Sequence, residues 1–130
     1  MTQWIWQQQI CKEIFEQKYC LSGEKTAEEV FRGVAREIAS VEKDASSRAK
    51  WEEVFYTELA EGRLQPAGRI LANARPSSPM KNYNNCFTID IEDSLEGIYD
   101  SLKEDATISK MGGGVGFDIS KLRPKGARLS

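Results

Sequence analysis

Apolar positions keep a helical spacing over the first sixty or so residues and a strand spacing over two short stretches near the end. Residues 3–19 place Trp6, Ile10 and Ile14 four apart with Phe15 beside them, the stripe of an amphipathic helix. Leu21-Ser22-Gly23 ends that element. Thr26-Ala27-Glu28-Glu29 has the form of a capping box, in which the Thr hydroxyl accepts from a first-turn amide and Glu29 reaches back. Val30, Phe31, Val34, Ala35, Ile38 and Val41 then continue at helical spacing. A third helix is expected from about Ser47 to Glu61, burying Trp51, Val54, Phe55 and Leu59, with Gly62 as its stop. Pro66-Ala67-Gly68 precedes a short apolar stretch, Ile70-Leu71-Ala72.

The composition then shifts. RPSSPMKNYNN, residues 75–85, is a loop by its prolines and asparagines. It predicts a helical domain over 1–75 and a different region over 76–130. From Asn85 the period falls to two: Phe87, Ile89 and Ile91 share one face, and Cys86, Thr88 and Asp90 the other. Asp93 or Ser94 caps a following helix, with Glu96 in its first turn and Leu95, Ile98, Tyr99 and Leu102 as its apolar face. Gly112-Gly113-Gly114 ends it. Val115, Phe117 and Ile119 alternate again as a second strand. A strand, a helix and a strand over some 35 residues fit a crossover between parallel strands. Two parallel strands do not make a finished sheet. The expected fold class is therefore an α+β or α/β fragment, a helical domain followed by the first strand–helix–strand unit of a larger architecture.

Composition narrows the function classes. The chain has 130 residues with 18 basic and 20 acidic side chains, net −2, which argues against a surface that coats nucleic acid. No run of 18 apolar residues occurs, so no membrane span is expected, and the first residues lack the form of a secretion signal. Cysteines at 11, 20 and 86 make no close pair, and there is no histidine. A disulfide framework and a metal site are both unexpected, and a cytoplasmic setting fits best.

Three features can carry chemistry. Cys86 lies on the polar face of its strand; its plainer reading is a small buried hydrophobe, and the alternative is a thiol directed into a polar cavity. Gly112-Gly113-Gly114-Val115-Gly116 exceeds what a helix stop needs and suggests a backbone that a ligand approaches closely. Its helix-then-strand order excludes the dinucleotide fingerprint, and the absence of Gly-Lys-Ser/Thr excludes a P-loop. Asp93 and Arg123 flank the crossover unit. Singly they are a cap and a surface charge; together they suit a nucleotide, the carboxylate accepting from hydroxyls or base and the guanidinium pairing with phosphate.

PAGRILANA (66–74), NNCFTIDIEDSLEGI (84–98) and GGGVGFDISKLRPKG (112–126) together resemble the catalytic subunit of ribonucleotide reductase. EEVFRGVAREIASVE (28–42) is similar to that family's amino-terminal domain. The resemblance implies that the strand from Cys86 opens a ten-stranded α/β barrel and that Val115–Ile119 is its next strand. It implies thiyl-radical reduction of ribonucleotides to deoxyribonucleotides. Two cysteines deliver the reducing equivalents at C2′, and Cys86 matches the one facing that position. Gly114 matches a backbone position near the substrate ribose and phosphate. Asn85 stands where the family often has a serine beside the cysteine, and Gly68 roughly where many members have a substrate-contacting threonine or serine. Asp93, Ser94 and Leu95 match the start of the helix that binds an allosteric deoxynucleotide effector, and Arg123 a basic effector contact. That effector site lies at a dimer interface, so the helix 94–110 is expected to pair with its copy.

The same resemblance sets limits. The radical cysteine, its glutamate neighbour and the second redox cysteine of the family have no counterpart in the chain. It is expected to be inactive without the C-terminal remainder of the subunit, as a split, truncated or excised piece. The alternative function is a non-catalytic nucleotide-binding or regulatory remnant. GGGVGFDISKLRPKG looks most like the adenosylcobalamin-dependent class, with a di-metal radical-generating subunit as the other possibility.

Overall fold

A computed structural model describes residues 8–128. They fall into two compact units, divided between Tyr83 and Asn84.

The first unit is helical. Its four helices are α1 (Gln9–Lys18), α2 (Ala27–Ala39), α3 (Ala45–Ala60) and α4 (Gly68–Asn73). The capping box forms as the sequence predicts: Thr26 Oγ1 accepts from the Glu29 amide at 3.2 Å, and Glu29 Oε2 accepts from the Thr26 amide at 2.9 Å. From that start α2 turns Val30, Phe31, Val34 and Ala35 inward, against Phe15 of α1, Leu59 of α3 and Ala74. Asp44 caps α3 by accepting from the Ser47 amide at 2.9 Å.

Several burial expectations are corrected. Ile10 and Ile14 are 52% and 42% exposed, and Phe15 and Tyr19 make the core contact of α1 instead. Phe15 meets the Phe31 ring edge-on at 6.4 Å between centroids, so the buried line is set one residue off the expected stripe. Trp6 lies outside the described residues. Helix α2 stops at Ala39, which leaves Val41 in the following turn and 82% exposed. On α3 only Leu59 is buried. Trp51 and Phe55 stack on each other at 5.6 Å, with Trp51 and Val54 exposed. The α2–α3 seam has a charged margin instead, Arg32 to Glu53 at 2.6 Å and Arg36 to Glu52 at 3.2 Å. Helical spacing marks the apolar face of a helix without deciding whether another element packs on it.

The segment 75–83 is fastened to this unit. Arg75 is 1% exposed, with Nε on Glu24 Oε1 at 3.0 Å, Nη2 donating to the Tyr19 carbonyl at 2.7 Å and Nη1 to the Leu71 carbonyl. Lys81 Nζ donates to Glu37 Oε1 at 2.6 Å, and the Tyr83 hydroxyl donates to the same oxygen at 3.0 Å. The contact boundary thus falls at Tyr83, whereas the sequence shift falls at residue 75; these side chains account for the interval.

The second unit is β1 (Cys86–Asp90), α5 (Leu95–Lys110) and β2 (Gly114–Asp118). The strands pair in parallel, from Cys86 opposite Gly114 to Asp90 opposite Asp118. Ile89 is buried, while Cys86, Thr88 and Asp90 are exposed, the period-two division read from sequence. Ile119 lies past the end of β2 and is 65% exposed. Ser94 caps α5, its Oγ accepting from the Gly97 amide at 3.0 Å. Ser101 ties the helix to the strand by donating to the Asp90 carbonyl at 3.3 Å. The glycine turn has two separate causes. Gly112 sits at φ 76°, where a side chain is strained. A Cβ on Gly113 would lie 2.6 Å from Ile108 and 2.9 Å from the Phe87 ring.

Candidate functional site

Cys86 opens β1 with its side chain on the exposed face. The register places Gly114 directly across from it, and the Gly114 amide donates to the Asn85 carbonyl at 2.8 Å. A carbon added at Gly114 would find the Cys86 sulfur at 3.7 Å and the Asn85 oxygen at 3.8 Å. Three residues singled out in the sequence, Asn85, Cys86 and Gly114, are therefore neighbours. Because residue 114 has no side chain, the sulfur borders open backbone.

Asp93 and Arg123 are also joined, but to each other. Arg123 Nε meets Asp93 Oδ2 at 2.6 Å, Nη2 donates to the Asp93 carbonyl at 3.0 Å, and Nη1 donates to the Arg128 carbonyl. Both side chains are less than a third exposed. The fork pins the segment after β2 to the turn that starts α5. A ligand phosphate would have to draw the guanidinium from this carboxylate or bridge the two. Ser94 is engaged as the α5 cap, and Leu95, next to it, is 72% exposed. Leu95, Tyr99 and Leu102 form one exposed apolar stripe along α5. Gly68 belongs to the helical unit as the first residue of α4 and offers only backbone.

Sequence reasoning missed a second ion pair at this end of the sheet. Lys121 Nζ meets Asp90 Oδ2 at 2.6 Å, and that bond raises the lysine pKa. Asp118, opposite Asp90, has its pKa lowered chiefly by the Ser120 amide, which donates to it at 2.9 Å. Lys121 stands two residues before Arg123, so alternate residues of one segment grip Asp90 and Asp93. The available signal was that spacing in SKLRPKG, but nothing in it names the acids. The buried Arg75 was likewise unannounced: arginine is seldom buried, and Glu24 is 51 residues away. Burial lowers the Arg75 pKa, with Glu24 opposing. Cys20, half-buried near Glu24, has its thiol pKa raised by burial first and that carboxylate second.

Comparison with known proteins gives these groups a family. The description "Ribonucleotide reductase, all-alpha domain" matches residues 6–79, and "Ribonucleotide reductase, barrel domain" matches residues 84–130. The chain belongs to the ribonucleotide reductase family. It corresponds to the amino-terminal region of the large, or alpha, subunit. Similar relatives include ribonucleoside-diphosphate reductase subunit alpha of Treponema pallidum, 37% identical over 105 residues, covering 81% of this chain and 12% of the relative. The same subunit of a Synechocystis strain is 40% identical over 90 residues, covering 69% and 11%. Among solved structures, the Actinobacillus ureae class Id ribonucleotide reductase alpha subunit superposes with a TM-score of 0.72 at 24% identity, over 96% of this chain and 22% of that one. That likeness shows the fold: the helical domain and the beginning of the family's barrel. The chain spans about a tenth of the length of the curated relatives it matches. Among the described residues no helix is long and apolar enough to cross a membrane.

Proposed function

We propose that this chain supplies one of the two reducing thiols of a ribonucleotide reductase, Cys86, together with part of the nucleotide site beside it. The observation that carries this is the exposed Cys86 sulfur bordering the bare backbone of Gly114. In the reduction, Cys86 and a second cysteine outside this chain each lose a hydrogen. The ribose C2′ hydroxyl leaves as water, C2′ gains hydrogen, and the two sulfurs join. One thiol supplies half of the electrons, so this reading makes the chain inactive without the rest of the barrel. Asn85 and Gly114 are read as lining the substrate; Gly68, in the helical unit, has only the family resemblance as its support. The relatives' names favour ribonucleoside diphosphates as that substrate.

The effector half-site is read as Asp93, Ser94, Leu95 and Arg123. A deoxynucleotide phosphate would compete with Asp93 for the Arg123 guanidinium, as charge-assisted bonds to either anion are similar in strength. The stripe Leu95, Tyr99 and Leu102 is read as the face that meets a second copy. The terms "subunit alpha" and "large subunit" among the relatives imply a second kind of subunit, which favours a separate di-metal radical generator over the adenosylcobalamin suggested by GGGVGFDISKLRPKG.

The test is a graft. This chain replaces the matching segment of the Treponema pallidum subunit alpha, and conversion of cytidine diphosphate to its deoxy form is assayed with that enzyme's own radical source. The graft should turn over, and Cys86→Ser should lower turnover by at least ~1000-fold, the scale on which a reacting group is lost. Turnover that survives Cys86→Ser would remove the cysteine from the chemistry.

A further inference from the structure

The open face of the two-stranded ribbon is built in three rows: Cys86 beside Gly114, Thr88 beside Gly116, and Asp90 beside Asp118. In the first two rows only β1 has a side chain. A carbon added at Gly116 would meet nothing closer than the Phe87 carbonyl oxygen at 4.0 Å. The bare strip that begins at Gly114 therefore continues past Gly116, and Thr88 borders it. Thr88 is exposed, and its hydroxyl makes no hydrogen bond among the described residues. It lies one two-residue step from Cys86, about 7 Å along the strand, less than the length of a nucleoside. The third row is acidic. Asp90 and Asp118 bring two carboxylates against the single ammonium of Lys121. A phosphate is repelled from that end, whereas a neutral base is not.

We propose that Thr88 is a base-contacting residue of the nucleotide site. With the ribose C2′ at the Cys86 sulfur, the sugar lies over Gly114 and the base extends over Gly116. There the Thr88 hydroxyl bonds the base edge, and the phosphates run the opposite way, toward the Asn85 end. A hydroxyl both donates and accepts, so it steadies any of the four bases without choosing among them. This rests on the reading of Cys86 as the thiol that faces the ribose.

The experiment follows alkylation of Cys86 and Cys11 by iodoacetamide in the graft described above, resolved by peptide mass spectrometry. Cys11, exposed in the helical unit, is the internal standard. Cytidine diphosphate or ribose 5-phosphate is added at rising concentration, and both should slow modification of Cys86 but not of Cys11. Thr88→Val keeps a β-branched side chain suited to a strand. It should raise the half-protecting concentration of cytidine diphosphate about three- to tenfold, the worth of one hydrogen bond, and leave that of ribose 5-phosphate unchanged. Thr88→Ser should restore the original value. If Thr88→Val weakens both ligands alike, or neither, the base contact is overturned while the role of Cys86 stands. If neither ligand protects Cys86 in the unsubstituted graft, the reading of Cys86 itself is overturned and Thr88 falls with it.

Discussion

Glu37 holds two donors at once, the Lys81 ammonium and the Tyr83 hydroxyl, and is the anchor of the strap 75–83. The Lys81 bond, seconded by Tyr83 and opposed by partial burial, sets its carboxyl below the usual glutamate range. A carboxyl whose pKa is depressed by folding stabilises the fold above its unfolded pKa, about 4.3, and ceases to do so as pH falls through the folded value. Other carboxylates here titrate in the same direction, so the informative quantity is a difference. The chain should unfold at a higher urea concentration than Glu37→Gln at pH 7, and the gap should close below about pH 4. A gap that stays constant with pH would mean that Glu37 acts through shape alone. None of this was legible in the sequence, because Glu37 lies 44 and 46 residues from its partners. Cys86 was legible for the opposite reason. Strand alternation is a local property, and it assigns a face without knowledge of any distant residue.

Elements were readable where they are long or strictly periodic. The capping box fixed the start of α2, and alternation fixed β1 and β2 to within a residue of their ends. Helix α4 was not readable as such, because six residues make fewer than two turns and show no period. Burial was the weaker part of the reading. A stripe shows which face of a helix is apolar, not whether anything covers it, and Ile10, Ile14, Trp51 and Val54 lie uncovered in the described residues. At the turn into β2 the governing contact is between elements. Gly113 lets the chain pass between Ile108 of α5 and Phe87 of β1. Gly113→Ala should destabilise the strand–helix–strand unit by about 1–3 kcal/mol, the usual cost of overpacking. Near-ultraviolet circular dichroism and urea titration would register it. Gly116→Ala, with open space around it, should cost much less.

In the whole molecule the two units are unequally finished. The helical unit has a cluster of buried side chains from Phe15 to Ala74, with Val30 fully enclosed. Among the described residues the second unit rests on a two-stranded sheet and one helix, where Ile89 and Ile108 are the buried apolar residues. Two strands and a single helix are marginal in water. Amide hydrogen exchange should therefore be slowest in α2, around Val30–Ala35, and faster by orders of magnitude across β1 and β2. Equal protection in the two units would show that the second is stable by itself, contrary to this account. The sequence displayed the change from helical to alternating pattern, but not the imbalance, which depends on how much apolar surface finds a partner.

The exposed thiols have a practical consequence. Cys11 and Cys86 sit one in each unit, both reachable from solvent. Two reactive ends on one molecule make it a bifunctional monomer. Left in air, such a chain is linked by oxygen into open-ended polymers and not only into pairs, so purification without a reductant would yield a ladder of sizes unrelated to any biological assembly.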